Sequence, residues 1–329
     1  MISRRAVAAL VWGLVAATAQ AAGVREVVIP ADQSGPAISA RLWTPCAKRA
    51  GPITVDSGND RLTIQAVKDC AAPAKTGLPL IVISHGLWGD VFDHHDTAEV
   101  LADAGFAVVS FNHTLDSLGA SKESIGDIAS LLVRPKDVRR VIDFFLGHSP
   151  KLLDIDSPRI GFFGYSRGGY TGLMLAGAVP NFSAPPFPCP DDLVMCKQMR
   201  NNEIPEHPSG QDARIKAFVL ADPVSLFPDK DSLKGVTAPI QLWSSEQGGM
   251  GVRPQDVAAL AKNLPKPPEW HRPTQSAHFA FLFPCSDEVR KARAFVCIDP
   301  PGFDRTAFHK QFNALVLRFF RKTLLSQPQ

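Results

Sequence analysis

The chain has 329 residues, 45% of them hydrophobic, with 35 lysines and arginines against 32 acidic residues. That length suits one large folded domain with insertions, and a formal charge of +3 lacks the basic excess that would bind nucleic acid. The 28 prolines imply long, stiffened loops.

The first residues, Met1-Ile2-Ser3-Arg4-Arg5, are cationic. A mostly apolar stretch from Ala6 to Ala17 follows, then the small-x-small triplet Ala19-Gln20-Ala21. This is the pattern of a secretory signal peptide cut before Ala22, so residues 1–22 are expected to lie outside a single domain spanning 23–329. The apolar part is too short to cross a bilayer, and no later run approaches the ~20 residues required. A periplasmic or secreted protein without membrane insertion is expected. Losing Arg4 and Arg5 takes the basic count from 35 to 33, leaving the chain almost neutral.

Apolar runs then alternate with amphipathic helical patterns, which predicts an α/β fold with a mostly parallel sheet covered on both faces. Val24 to Ile29 and Ile38 to Trp43 read as an opening hairpin, and residues 46–75 as a polar insertion between Cys46 and Cys70. Leu80 to Ile83 and Phe106 to Phe111 are buried strands, with a helix between them that Asp96 can cap and Gly105 ends. Pro135 is placed to open a helix whose Val138, Val141, Ile142 and Phe145 share one face.

The most specific stretch is Ile160-Gly-Phe-Phe-Gly-Tyr-Ser-Arg-Gly-Gly169. An apolar strand runs into Gly164-Tyr165-Ser166-Arg167-Gly168, and a small-residue helix follows to Ala178. That is a G-x-S-x-G nucleophile elbow in its strand–turn–helix setting, with Ser166 the candidate nucleophile. Residues 180–212 interrupt the alternation with a proline-rich insertion, expected over the C-terminal edge of the sheet where ligands bind. Strands resume at Ile215 to Ala221 and Ile240 to Trp243, followed by helices from Pro254 to Leu264 and from Asp304 to Leu325.

A serine hydroxyl needs a base within hydrogen-bond reach and a carboxylate to orient that base. Behind an elbow the chain order is Ser, acid, His. His278 sits in a loop after the last strand, where the base belongs; His309 reads as a surface residue of the final helix and His271 as part of an extended connection. Two acids compete: Asp222, closing Phe218-Val-Leu-Ala-Asp, and Glu246, after the next strand. The backbone N–H groups of Arg167 and of Leu87, in Ser84-His-Gly-Leu-Trp-Gly89, are the candidate oxyanion donors.

Trp88, Tyr165, Phe182 and Phe187, with Pro185 and Pro188 nearby, are candidate walls of a substrate pocket. Asp93, His94, His95 and Asp96 lack metal-ligand spacing and read as a surface cluster at a helix start; no metal or cofactor is expected. Six cysteines in loop-like stretches of an exported chain favour disulfides, and proximity suggests Cys46/Cys70, Cys189/Cys196 and Cys285/Cys297.

Over residues 75–325 the chain resembles α/β-hydrolases of the group containing dienelactone-hydrolase-like proteins and secreted platelet-activating-factor acetylhydrolases. The resemblance rests on Ser84-His-Gly-Leu, Gly164-Tyr-Ser-Arg-Gly-Gly, Leu220-Ala-Asp-Pro, Trp243-Ser-Ser-Glu and Ala277-His-Phe-Ala-Phe. It implies an α/β-hydrolase fold and a serine hydrolase of carboxylic esters, acting on small-molecule or lipid-like substrates without a cofactor. The acid of the acetylhydrolases maps to Asp222. Three departures stand out: serine rather than cysteine at 166, Tyr165 and Arg167 around it, and the extra Cys189/Cys196 insertion. Amide hydrolysis by the same triad, or a non-catalytic binding protein on this fold, are the alternatives.

Overall fold

Leu78–Ser84 is buried along its whole length, as a strand at the centre of a parallel sheet must be. Its side chains alternate between two cores. Leu80 and Val82 pack with Leu131, Val138, Leu173 and Val257 on one face; Ile81 and Ile83 pack with Leu101, Phe312 and Phe319 on the other. The computed structural model that shows this describes residues 21–58, 60–71, 77–147, 153–183, 189, 194–206 and 210–326.

The strands are β1 (Ala21–Ile29), β2 (Ile38–Cys46), β3 (Gly51–Ser57), β4 (Asp60–Lys68), β5 (Leu78–Ser84), β6 (Ala107–Phe111), β7 (Ile155–Tyr165), β8 (Ile215–Ala221), β9 (Ile240–Trp243) and β10 (Glu269–His271). They form one sheet in the order β10-β9-β8-β7-β5-β6-β2-β1-β4-β3. Every pairing from β10 through β6 is parallel, while β2 meets both β6 and β1 antiparallel. The helices are α1 (His95–Asp103), α2 (Lys122–Gly126), α3 (Ile128–Gly147), α4 (Arg167–Ala176), α5 (Val194–Asn201), α6 (Lys230–Leu233), α7 (Pro254–Asn263), α8 (Asp287–Ala292) and α9 (Arg305–Phe320). This is the α/β architecture expected from the alternation.

Several elements differ from the sequence reading. The region between Cys46 and Cys70 is not a loose insertion. It is the β3–β4 hairpin, which buries Leu62, Ile64 and Ala66 on one face and exposes the residues between, so it lengthens the sheet instead of leaving it. Pro135 does not open a helix. It lies inside α3, which starts at Ile128 because Asp127 accepts the Ala129 N–H at 2.7 Å and Gln198 accepts the Ile128 N–H at 2.9 Å. Asp96 is not the cap of α1, which begins after His94. Ala21 and Ala22, assigned by sequence to the leader, are the first residues of β1 and pair with Cys46 and Pro45. The rest of the leader, residues 1–20, lies outside the described residues.

All three cysteine pairs expected from proximity are bonded: Cys46 to Cys70, Cys189 to Cys196 and Cys285 to Cys297. Their setting is not the loop-like one expected. Cys196 stands within α5, and Cys297 ends the 3-10 helical turn Ala294–Cys297; both are buried. Cys46 likewise is the last residue of β2. A bonded sulfur carries no charge and packs as an apolar group, so Cys297 joins the core cluster of Phe308 and Phe312 instead of facing solvent. Each bridge therefore ties a loop to a regular element.

The parallel strands end level with one another. Ser84 pairs with Gly164, Tyr165 with Ala221, and Ala221 with Trp243. The chain leaves β5 toward β6 on one side and returns as β7 on the other, so a crevice opens at the C-terminal ends of β5 and β7.

Candidate active site

Ser166 follows β7 with φ 55° and ψ −114°, a backbone conformation that L-residues rarely adopt. Two glycines permit the turn. A Cβ on Gly164 would sit 2.2 Å from the Gly168 carbonyl oxygen, and one on Gly168 would sit 2.0 Å from that of Ser84. The Ser166 N–H donates to the Ala221 carbonyl at 2.9 Å, tying the elbow to the end of β8.

The Ser166 hydroxyl lies 3.0 Å from His278 Nε2, and His278 Nδ1 lies 2.6 Å from Asp222 Oδ2. All three side chains are buried. His278 stands in the loop after β10, held by its own N–H on the Gly248 carbonyl at 2.8 Å. Asp222, at φ 46° directly after β8, also accepts the Ser245 N–H at 2.9 Å and the Ser245 hydroxyl at 2.8 Å. With both oxygens so occupied, the carboxylate is fixed to face the imidazole. Glu246 is exposed and accepts the Gln275 N–H at 2.6 Å, on a different part of the loop.

No protein-family model matches the sequence, and no curated protein matches it. Solved structures do match. A ferulic acid esterase from Streptomyces cinnamoneus superposes with a TM-score of 0.64 at 19% identity, over 96% of this chain and 93% of its own. A structure described as a dienelactone hydrolase from Klebsiella pneumoniae has a TM-score of 0.54 at 14% identity, over 92% and 99% of the two chains. This chain has the α/β-hydrolase fold. A puromycin-hydrolyzing peptidase from Mycobacterium tuberculosis shares it with a TM-score of 0.57 at 13% identity, over 93% of this chain and 40% of that longer one.

In this α/β-hydrolase fold the loop after β5 borders the elbow. A Cβ on Gly86 would come within 3.2 Å of Ser166 Cβ and 3.0 Å of the Tyr165 ring. Leu87 is half-buried there, and among the described residues neither its N–H nor that of Arg167 has a hydrogen-bond partner. Trp88 follows at φ 54° with 46% of its surface exposed. His85 has a structural role: Nδ1 donates to the Gly86 carbonyl at 2.7 Å and Nε2 accepts the His113 N–H at 3.2 Å. Those partners require the neutral ring, and burial together with the Arg134 charge pulls its pKa well below the usual histidine value.

The other candidate walls fare differently. Tyr165 is not an open wall: its ring stacks on His278 at 4.8 Å, and its hydroxyl donates to the His278 carbonyl at 3.1 Å. Burial pushes that phenol far up, so it remains a neutral donor. Phe182 is buried in the core and lines a cleft with Val179, Asn181, Ile204 and Lys234, away from Ser166. Phe187, Pro185 and Pro188 lie outside the described residues. On the His278 side the rim is aromatic: Phe279 meets the exposed Phe295 edge-on at 5.9 Å.

The cluster at residues 93–96 is largely buried, contrary to the surface reading. His94 has no partner for either ring nitrogen among the described residues and packs against Phe163 and Tyr165, with its pKa drawn down to about 3 by burial. His309 is likewise not a surface residue. Nδ1 lies 2.6 Å from Asp96 and Nε2 lies 2.9 Å from the Ala280 carbonyl. His271 belongs to β10, an edge strand missed in the sequence, and stacks on Trp243 at 4.2 Å.

Two contributions escaped the sequence reading: Ser245, which clamps Asp222, and the support of His278 by Tyr165. Ser245 sits within Trp243-Ser-Ser-Glu, one of the segments carrying the family resemblance, so a signal for it was present.

Proposed function

We propose that this protein is an exported serine hydrolase of carboxylic esters. The observation that carries the reading is the continuous hydrogen-bonded line from the Ser166 hydroxyl through His278 to Asp222. The Ser166 oxygen attacks the ester carbonyl carbon while its proton passes to His278 Nε2. Asp222 stays ionised, holds the ring in the required tautomer and stabilises the imidazolium. The tetrahedral oxyanion receives the N–H groups of Leu87 and Arg167. As the carbon–oxygen bond to the leaving group breaks, His278 returns the proton and an alcohol departs. Water then attacks the acyl-enzyme, giving a proton to His278, and the acid is released with Ser166 restored.

The half-exposed Trp88 beside the oxyanion loop and the Phe279–Phe295 rim support an apolar or aromatic ester as substrate. Export rests on the cationic and apolar leader and on three disulfides, which are bonds of oxidising compartments. Cleavage before Ala22 leaves that residue still paired with Pro45 in β1. Amide hydrolysis is the second reading, favoured by the fold shared with a puromycin-hydrolyzing peptidase.

The test is fluorophosphonate labelling together with a rate panel of nitrophenyl esters, from acetyl to palmitoyl, and an anilide. Ser166→Ala should abolish labelling and lower ester turnover by roughly 10⁶-fold with the fold intact. Full labelling of that variant would overturn the assignment, and anilide turnover above that of every ester would replace esterase with amidase.

A further inference from the structure

We propose that Asp116, clamped by Arg134, is a positioning residue that holds the two oxyanion-donating segments in register with each other; this rests on the hydrolase reading above. Asp116 lies in the loop after β6 and has no exposed surface. Its Oδ1 accepts the Trp88 N–H at 3.3 Å, and its Oδ2 accepts Arg134 Nη1 at 2.7 Å and Arg167 Nη1 at 3.0 Å. Trp88 directly follows Leu87, and Arg167 directly follows Ser166. One carboxylate therefore touches both segments that supply the oxyanion N–H groups.

The surroundings leave that carboxylate little freedom. The Arg134 guanidinium is wholly buried, and its Nε donates to the Thr171 hydroxyl at 3.0 Å. Its Nη2 donates to the Ser84 hydroxyl at 3.2 Å and to the His85 carbonyl, so it grips the end of β5 where the oxyanion loop begins. Arg167 Nη1 also donates to the Ile125 carbonyl at 3.0 Å and the Ser130 hydroxyl at 3.2 Å, fixing its stem from the side of α2 and α3. Trp88 needs such a hold, because its φ of 54° is strained for a residue with a side chain. A buried Arg–Asp pair contributes little stability beyond what apolar packing in the same volume would give. Its placement beneath the loop is accounted for by geometry: a displacement of about 1 Å at an active site can cost ~10²-fold in rate.

The experiment uses Asp116→Asn in the full-length protein. It compares kcat and KM for nitrophenyl acetate, the affinity of a trifluoromethyl ketone whose hemiketal oxyanion occupies the same hole, and the melting curve. The expected result is a fall in kcat of about 10–100-fold with KM within about threefold, and a loss of ketone affinity by the same factor. A lower melting temperature with kcat and ketone affinity both within about twofold of wild type would make Asp116 a structural anchor only and overturn the proposal. Arg167→Met removes one leg of the clamp while keeping the backbone N–H, and should give a drop of about 3–10-fold in the same two quantities. If Asp116→Asn does not fold, an unchanged Arg167→Met overturns the proposal instead. Wild-type protein that resists fluorophosphonate defeats the hydrolase reading itself, whereas labelled wild type beside unaffected variants defeats only the positioning role.

Discussion

Two of the buried histidine–aspartate pairs among the described residues have nearly identical geometry. His278 Nδ1 stands 2.6 Å from Asp222, and His309 Nδ1 stands 2.6 Å from Asp96. They differ in what the other ring nitrogen meets. For His278 it is the Ser166 hydroxyl at 3.0 Å, a group that can surrender a proton; for His309 it is the Ala280 carbonyl at 2.9 Å, which can only accept one. With a carboxylate on one side and a carbonyl on the other, the His309 ring meets no hydroxyl from which it could take a proton. Its ring also sits among Phe308 and Phe312, tying α9 to the start of α1. A histidine–carboxylate pair is therefore a structural unit that can serve a fold or a reaction. The buried His113, 3.3 Å from Asp137, also meets a hydroxyl, that of Ser84 at 2.8 Å, but Ser84 ends a strand and is wholly buried, whereas Ser166 stands on a nucleophile elbow.

The comparison can be broken from either side. The largest effect should come from Asp222→Asn, with turnover down roughly 10³–10⁴-fold and an unchanged circular dichroism spectrum, while Glu246→Gln loses less than about tenfold. The reverse ranking would move the orienting acid to Glu246. Asp96→Asn should do the opposite: ester turnover near wild type, but a stability loss of about 3 kcal/mol in denaturant, because the buried His309 loses its countercharge. Burial alone would raise the Asp96 carboxyl, but the His309 charge and hydrogen bond hold it below the usual carboxylate range. Its contribution is thus present at neutral pH and is lost as the pH falls below the ordinary carboxylate value toward the depressed one. Melting temperatures of wild type and Asp96→Asn should converge on acidification; a constant gap would refute the ion pair.

The smallest effect concerns Asp93, three residues before Asp96. Burial, reinforced by the Asp90 charge, raises its carboxyl to about 7. The protonated form favours the fold at low pH, and that advantage disappears as the pH rises through about 7. Asp93→Asn should therefore show no gain over wild type near pH 4 and a gain that grows with pH to at least about 1 kcal/mol near pH 8. A gain independent of pH would point to packing instead of charge.

The parts of this protein that were readable in the sequence are those set by local rules. The apolar runs of β5, β6 and β8 announce buried parallel strands because they are nearly continuous, broken only by Ser110 in β6 and by Lys216 near the start of β8. The elbow is legible because its turn demands glycine on either side of Ser166, and the register that brings Gly164 level with Ser84 follows from it. The β3–β4 hairpin was hidden by its polar exposed face, and the three-residue β10 by its brevity. Cysteine pairing followed from proximity along the chain, but the helical, buried setting of Cys196 and the buried turn at Cys297 did not. His309 and His94 looked like surface residues because one-dimensional context says nothing of the neighbour packed across from a helix.

The candidate nucleophile, the candidate base and a short list of two candidate acids were thus determined by the sequence alone, since residue type and chain order restrict them strongly. The choice between those acids belongs to the tertiary structure, which aims Asp222 at His278 through two bonds to Ser245 and leaves Glu246 at the surface. So does the distinction between His278 and His309, and so does the junction of Asp116 with residues 88, 134 and 167. Each depends on groups far apart in the chain meeting within about 3 Å, and hydrogen bonding at that range is decided by how the sheet and its helices pack, which no local pattern encodes.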